Sequence, residues 1–389
     1  MTPGARLQAA IDVLDRVLRG GAAERELTVW ARGARYAGSK DRAAVRDHVF
    51  DALRRLRSAN RAGGGGDVPP DEMDARVVLA GLLRDRGEDP AAFFTGEGHA
   101  PAAISLSKVA DEAPEGVRLD VPDWVLPHFG AALGAKRDAV LGAMRDRADV
   151  VLRANAGRIT RDDLIVALQA AGWEARRHSL ARCAIRVPSG ARGLAASPLF
   201  RDGLFEFQDA GSQALVDALP PTPGPILDLC AGGGGKALAL AAKGARVLAH
   251  DADPRRMKDI PGRAARAGVT IERIETPEAI APFDGVIADV PCSGSGAWRR
   301  TPDAKWRLTP ERLAELADLQ VGILDRALAL ARPGGWVAYM TCSMFEEENA
   351  AVVARVLGRR SDAKVARIWS CTPLDDADGF GLHLIERTA

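Results

Sequence analysis

The sequence predicts a doubly wound α/β domain preceded by an all-helical domain and a small β-α-β region. Three observations carry that expectation. The apolar run Ile226-Leu-Asp228 is followed by Gly232 to Gly235 and then by a helical Lys236-Ala-Leu-Ala-Leu-Ala-Ala. Strand, glycine turn and helix in that order open such a sheet. Apolar strand segments then alternate with helical ones as far as Leu357, as a parallel sheet requires. The first ~115 residues, by contrast, show only helical periodicity.

In chain order, Leu7, Ala10, Ile11, Leu14, Val17 and Leu18 mark one face of a first helix, ended by Gly20-Gly21. A second helix fits Arg25 to Ala34. A third, capped by Ser39, turns Ala43, Val45, Val49, Phe50, Leu53 and Leu56 inward, with Arg42, Arg46, Arg54, Arg55 and Arg57 largely outward. Gly63 to Gly66 and Pro69-Pro70 form a flexible break before a helix over Asp71 to Arg86. The pattern from Val121 to Arg147 is again helical. Val150 to Arg153 reads as a strand, Arg161 to Ala171 as a helix capped by Thr160, and Cys183 to Val187 as a strand. Phe205 to Asp209 leads into a helix over Gly211 to Leu219.

Within the α/β region, Ala245 to Ala249 is the second strand, ending in Asp251, and Pro254 to Ala267 a helix. Ile271 to Ile274 is the third strand and Asp284 to Asp289 the fourth. The long helix Pro310 to Leu330 precedes a turn at Pro333-Gly-Gly335, the fifth strand Trp336 to Met340 and a helix from Glu346 to Leu357. Ligands bind such sheets at the carboxyl ends of the strands.

The bulk properties set limits. A chain of 389 residues, 47% hydrophobic and 27% charged, has the composition of a globular protein of two or three domains. No apolar run approaches the ~20 residues of a membrane span, and the N-terminus opens on an amphipathic helix rather than a signal core. The expectation is a cytoplasmic, monomeric protein whose five scattered cysteines are reduced thiols without metal-ligand spacing. The net charge of +1 hides an asymmetry: residues 1–61 carry 13 Lys/Arg against 7 Asp/Glu. That surplus suits an anionic partner, although solvated helix faces account for much of it.

The residues that carry chemistry sit at strand ends. The glycine loop lets backbone approach a ligand closely, and Asp251 stands where an acid holds a ribose hydroxyl, so a nucleoside-containing cofactor is expected. The spacing is not that of a P-loop, since Ala237 follows Lys236. The fourth strand ends in Asp289-Val-Pro-Cys292-Ser-Gly-Ser-Gly296 and the fifth in Thr341-Cys342-Ser343. Cys292 and Cys342 lie in polar turns facing the same crevice, whereas Cys183 and Cys371 read as buried packing. Two thiols, an acid and a nucleoside cofactor suit alkylation of a pyrimidine at carbon 5. Thiolate addition at carbon 6 makes carbon 5 nucleophilic, and a carboxyl group at ring nitrogen 3 meets the developing charge. The residues alone do not say which thiol attacks.

At these motifs the chain resembles the Sun-type, S-adenosylmethionine-dependent RNA cytosine-5 methyltransferases. The resemblance rests on Cys230-Ala-Gly-Gly-Gly-Gly-Lys236, Asp289 to Gly296, and Tyr339-Met-Thr-Cys-Ser343 with Glu346-Glu-Glu-Asn349 behind. Phe207-Gln-Asp209 and Arg299 to Trp306 are also similar to family segments. The resemblance implies a Rossmann-like methyltransferase domain over residues 206–389. It also implies an RRM-like region with linker helices over 120–205 and a NusB-like RNA-binding domain over 1–115. It further implies that Cys342 is the nucleophile, Cys292 the thiol that permits product release, and Asp289 the residue that holds the target cytosine. Cys230, Ala231, Gly232, Gly233, Gly234, Gly235, Lys236, Asp251 and Asp289 are implied to hold S-adenosylmethionine. The implied substrate is ribosomal RNA. Transfer RNA and a non-catalytic RNA-binding assembly role are the alternatives, and DNA cytosine-5 methyltransferases would reverse the thiols. Two departures stand out. Gly233-Gly234 stand for the family's usual Ala-Pro in the loop, which loosens it without removing its backbone amides. Glu275-Thr276 stands where an adenine-contacting aspartate is usual.

Overall fold

The computed structural model describes residues 1–107, 112–188 and 192–388. The chain divides into two compact units, residues 1–147 with 298–309, and residues 148–297 with 310–389. The first is helical. It contains α1 (Pro3–Leu18), α2 (Ala23–Gly33), α3 (Ser39–Arg54), α4 (Leu56–Ala62) and α5 (Ala75–Asp85), then α6 (Glu115–Leu119), α7 (Leu126–Leu133) and α8 (Arg137–Ala143). The apolar stripes expected on α1 and α3 meet Val78, Leu79, Leu82 and Leu83 of α5 in one core. Gly81 allows α5 to lie against α4, because a Cβ there would come within 1.8 Å of the Ala59 carbonyl oxygen. Gly63 to Gly66, expected to be a flexible break, is instead tied down: Gly63, Gly64 and Gly65 donate backbone hydrogen bonds to Ala59, Arg61 and Asn60.

The expected outward row of arginines is corrected in part. Arg54 is only 5% exposed; its Nε donates to the Arg299 carbonyl at 2.6 Å and its Nη1 to Asp51 at 2.7 Å. Arg57 is equally enclosed and binds Asp67 and Asp123. The reason is a break at Arg55 (φ −119°, ψ 33°), which turns the chain so that the helical period of α3 does not continue through residue 57. Arg55 is half-buried against Asp146, while Arg42 and Arg46 do face solvent.

Residues 298–309 leave the α/β half of the sequence to complete this helical core. Trp298 packs edge-on to Phe129, with centroids 5.7 Å apart. Lys305, in α14 (Asp303–Arg307), is buried and donates from Nζ to the carbonyls of Arg54 and Asp120. Trp306 Nε1 donates to Leu53. No local pattern in residues 298–309 signals that this stretch packs with the helices.

The second unit holds two sheets. Strands β1 (Val150–Ala154), β2 (Arg176–Arg177), β3 (Ala184–Val187) and β4 (Phe205–Phe207) form an antiparallel sheet in the order β2-β3-β1-β4, with α9 (Arg161–Ala170) and α10 (Pro198–Arg201) beside it. The expected β-α-β piece is thus part of a larger sheet, and Phe205 to Phe207 pairs with β1 rather than merely leading into a helix.

The seven-stranded sheet has the order β10-β11-β9-β8-β5-β6-β7. Here β5 is Ile226–Asp228, β6 Val247–Ala249, β7 Glu272–Arg273, β8 Phe283–Asp289 and β9 Ala331–Thr341. β10 (Ala363–Cys371) and β11 (Phe380–Arg387) extend it antiparallel; neither was expected. β5 to β9 are parallel, with the chain reversing direction of travel at β5 between β6 and β8, so the crevice opens at their carboxyl ends. Neighbouring residues point to opposite faces: Ile226, Ile287 and Ala338 pack with α11 (Ala210–Asp217) and α12 (Gly235–Ala241). Leu227, Val286 and Val337 pack with α15 (Pro310–Leu330) and α16 (Ala350–Leu357). Burial on both faces explains the unbroken apolar composition of these strands. The expected helix over Pro254 to Ala267 begins with a 3₁₀ turn and becomes α13 only at Ile260–Ala267. Among the described residues no helix is long and apolar enough to cross a membrane.

Candidate active site

The glycine loop leaves β5 at Asp228 and enters α12 at Gly235. Its turn needs two left-handed residues, Gly232 (φ +49°) and Gly234 (φ +78°), and a Cβ on Gly234 would come within 2.9 Å of Ile260. Asp251, past the end of β6, is buried. One of its oxygens accepts from Gly232 N–H at 2.9 Å and lies 3.3 Å from Arg256 Nη1, while the other accepts from Asp253 N–H at 3.0 Å and keeps a lone pair for a ribose hydroxyl. Asp228 is buried beneath the loop, and its Oδ1 has no hydrogen-bond partner among the described residues. Burial, reinforced by the charge of Asp289, pushes the Asp228 carboxyl up to about 7. An unpartnered acceptor, a buried strand-end acid and a loop without side chains fit a polar nucleoside cofactor. Glu275 and Thr276 are exposed beyond β7. Among the described residues no cluster of His, Cys, Asp or Glu is arranged to hold a metal.

The loop is not slack. Arg263 Nη1 donates to the Gly233 carbonyl, and Arg153 Nη1 donates to the Gly235 carbonyl at 2.8 Å. Both guanidiniums are themselves fixed. Arg263 is paired with Glu206 at 2.9 Å, Glu206 also holds Arg266, and Arg153 binds the Gln208 side chain. The small antiparallel sheet therefore braces the cofactor loop through Arg153 of β1 and Glu206 of β4. This corrects the expected loosening: the buried Arg153 and the half-buried Arg263 do what a proline ring would do. Counting back from Lys236, the family's proline falls at Gly233, whose added Cβ would sit 3.2 Å from Arg263 Nη1. Arg263→Ala should weaken cofactor affinity roughly tenfold, the loss of one charge-assisted hydrogen bond. Adding Gly233→Pro, now with space for the ring, should restore most of it. Calorimetric titration of the four proteins checks the cycle, and unchanged affinity in Arg263→Ala would exclude the brace.

At the opposite lip, Asp289 ends β8 with its carboxylate one-third exposed, and Lys236 Nζ lies 2.6 Å from its Oδ2. Burial works against the Lys236 ammonium, but the charge and hydrogen bond of Asp289 outweigh it and hold the proton more tightly than usual. The Cys342 sulfur acts on Lys236 in the same direction. Cys292 and Cys342 are brought into contact, Sγ to Sγ at 3.3 Å, without a disulfide. Backbone bonds set that distance: Val290 N–H donates to Met340, and Gly296 N–H to Cys342. The hydrogen bond to Cys342, together with burial, raises the Cys292 thiol well above the ordinary cysteine range. Either sulfur can donate across this contact, and Cys292 holds its proton more tightly than an ordinary cysteine. Cys230 is pushed up to about 12, chiefly by burial. Cys371 is buried and Cys183 half-buried among apolar residues, as expected.

A buried polar cluster that sequence reasoning passed over holds the two thiol loops. Glu348 is wholly enclosed and accepts from Ser293 N–H at 2.8 Å, from Ser293 Oγ and from Gln320 Nε2 at 3.0 Å. Gln320 also reaches the Pro291 carbonyl, and Ser343 Oγ contacts Ser293 and Ser295. Asn349 donates to the Ser343 carbonyl. The only signal was the run Glu346-Glu-Glu-Asn349 itself.

A doubly wound sheet with this cradle and paired strand-end thiols defines a Rossmann-like, S-adenosylmethionine-dependent methyltransferase. Residues 217–382 match the family described as 16S rRNA methyltransferase RsmB/F, and residues 121–192 match the ferredoxin-like domain of the same proteins. The ribosomal RNA small subunit methyltransferase B of Enterobacter sp. (strain 638) is 34% identical over 292 residues, covering 70% of this chain and 68% of its own. That of Serratia proteamaculans (strain 568) is 35% identical over 257 residues, covering 63% and 59%. The chain thus spans about three fifths to two thirds of the length of these curated relatives. A methyltransferase homolog protein from Pyrococcus horikoshii shares the fold, with a TM-score of 0.62 at 23% identity over 70% of this chain and 97% of that one. The chain belongs to the RsmB/F family.

Asp251→Ala should lower the affinity for S-adenosylmethionine roughly ten- to hundredfold, the worth of a charge-assisted hydrogen bond or two. Equal calorimetric affinity in mutant and parent would remove Asp251 from the site.

Proposed function

We propose that this protein methylates carbon 5 of a cytosine in small-subunit ribosomal RNA through a covalent cysteine adduct. The observation that carries the reading is the contact of Cys292 and Cys342 beside the Lys236–Asp289 pair. The loop Cys230 to Lys236 and Asp251 would hold S-adenosylmethionine, which supplies an electrophilic methyl group when bound. Cys342 adds to carbon 6 of the cytosine, and the electrons of the 5,6 double bond pass to carbon 5. A proton passed from the Lys236 ammonium through the Asp289 carboxyl group is donated to ring nitrogen 3 as charge builds, and it returns by the same route when the bond to Cys342 breaks. Once carbon 5 carries the methyl group, Cys292 removes the hydrogen still on it, the double bond reforms and the bond to Cys342 breaks.

The proton inventory is consistent. The leading cause of the raised Cys292 thiol is its hydrogen bond to Cys342, and the Cys342 charge adds to it. Both vanish when Cys342 is bonded to carbon 6, so the Cys292 thiol can release its proton to solvent, and the thiolate left behind takes the carbon 5 proton at the step that needs a base.

The reading assigns RNA recognition to a NusB-like domain at residues 1–115, an RRM-like region with linker helices to 120–205, and catalysis to 206–389. It places a monomer in the cytoplasm, where the free thiols stay reduced. Bisulfite mapping of total RNA with and without the gene tests it. A single protected cytosine in small-subunit ribosomal RNA should lose protection when the gene is absent. No change in any ribosomal cytosine would overturn the proposed substrate, and a change confined to transfer RNA would replace it.

A further inference from the structure

Most arginines of the helical unit are bound to acids. Arg6 pairs with Asp41, Arg16 with Glu26, Arg46 with Glu24, and Arg57 with Asp67 and Asp123. Arg76 and Arg84 hydrogen-bond only to backbone carbonyls, and the densest run of cations without acids is the segment from α2 to the start of α3. Arg25, Arg32, Arg35, Lys40 and Arg42 are all exposed, and none forms an ion pair among the described residues. The three acids of this segment, Glu24, Glu26 and Asp41, are already held by Arg46, Arg16 and Arg6. The five cations are therefore uncompensated.

Their arrangement is not that of a merely solvated face. Arg25, Val29 and Arg32 are spaced i, i+4, i+7 and share one side of α2. Val29 is 54% exposed and lies between the two cations. Directly after the helix come Arg35 and Tyr36, and Tyr36 is 73% exposed, the most exposed large apolar or aromatic side chain recorded for the described residues. An aromatic ring left in water beside free guanidiniums suits a polyanion that also carries flat, stackable groups. Unpaired RNA has both, whereas an acidic peptide lacks the rings and duplex RNA keeps its bases stacked inside.

We infer that the α2–α3 surface, from Arg25 to Arg42, is a docking site for single-stranded RNA, with phosphates on Arg32, Arg35 and Lys40 and one base stacked on Tyr36. The inference rests on the RNA-methylation reading above and moves the contact from the arginine row 42–57, in which Arg54 and Arg57 are buried, to α2 and the turn before α3.

The test uses the full chain and a fluorescent, mixed-sequence single-stranded 12-mer RNA, with anisotropy followed from 50 to 300 mM KCl. The triple variant R32E/R35E/K40E should bind at least tenfold more weakly at 50 mM. Its log–log salt slope should fall by about 2, given roughly 0.7 per single-strand phosphate contact. Tyr36→Ala should lose about tenfold with an unchanged slope, and Tyr36→Phe should bind like the parent. Melting curves of all variants should match the parent, as these side chains lie on the surface. If the parent binds the RNA while every variant binds equally well, the surface is not the site, although RNA methylation stands. Failure of the parent itself to bind any RNA, duplex or single-stranded, would sink the RNA reading and the surface with it. Competition by polyglutamate as effective as by the 12-mer, together with an indifferent Tyr36→Ala, would replace RNA by an acidic protein and overturn the inference.

Discussion

Replacing Cys292 by Ala is expected to leave the protein covalently bound to its RNA, in a complex that survives denaturing electrophoresis. Cys342 can still add to carbon 6 and methyl transfer can still follow, but the hydrogen on carbon 5 then has no base to remove it. Cys342→Ala should abolish methyl transfer and adduct alike, and the double variant should show no adduct. The geometry also predicts an order of reactivity without RNA. Cys292 is held as a thiol by its contact with Cys342 at 3.3 Å, so iodoacetamide at pH 8 should label Cys342 ahead of Cys292. Peptide mass spectrometry reads the order directly. Adducts trapped by Cys342→Ala and lost in Cys292→Ala would assign the nucleophile as in the DNA enzymes. Turnover unaffected by either change would exclude the covalent mechanism.

The strand ends were legible because they combine an apolar run with an abrupt polar turn, and that boundary is written in adjacent residues. Asp251, Asp289, Cys292 and Cys342 all lie at such boundaries. β10 and β11 were not legible. β10 is an edge strand with Lys364, Arg367 and Ser370 exposed, so its composition lacks the two-faced burial that marked β8. Residues 298–309 were misjudged for a different reason. Their neighbours are about 170 to 280 positions away, and no local period encodes a contact of that range. The same holds for the loop brace, in which Arg153, Glu206 and Arg263 come from three distant segments. A glycine-for-proline change looks like loss of rigidity until the two guanidiniums on its carbonyls are seen.

Glu348→Ala is expected to cost about 3 kcal/mol of stability and to impair both chemical steps together, because it removes the acceptor on which both thiol loops are hung. The cost follows from a count of donors. Ser293 Oγ can turn to Ser343 Oγ at 3.3 Å, and Gln320 Nε2 keeps the Pro291 carbonyl at 2.9 Å. Ser293 N–H, buried and bound to Glu348 Oε1 at 2.8 Å, loses its partner there, and the vacated space adds a cavity term. Ser293 directly follows Cys292, so slack at this amide is slack at the thiol. Glu348→Gln should behave differently. Its carbonyl oxygen can take the place of Oε1 and accept from Ser293 N–H and Gln320 Nε2. Its amide then donates to Ser293 Oγ, which rotates its own proton toward Ser343. The Gln variant should therefore melt within about 1 kcal/mol of the parent and retain most of its activity. Thermal melts report the stability. Adduct yield in the Cys292→Ala background reports whether Cys342 still reaches carbon 6. If Glu348→Ala melts like the parent and forms adduct at the same rate, the buried cluster does not position the thiols. If the Gln variant fails as badly as the Ala variant, the negative charge rather than the hydrogen-bond geometry is what the site requires.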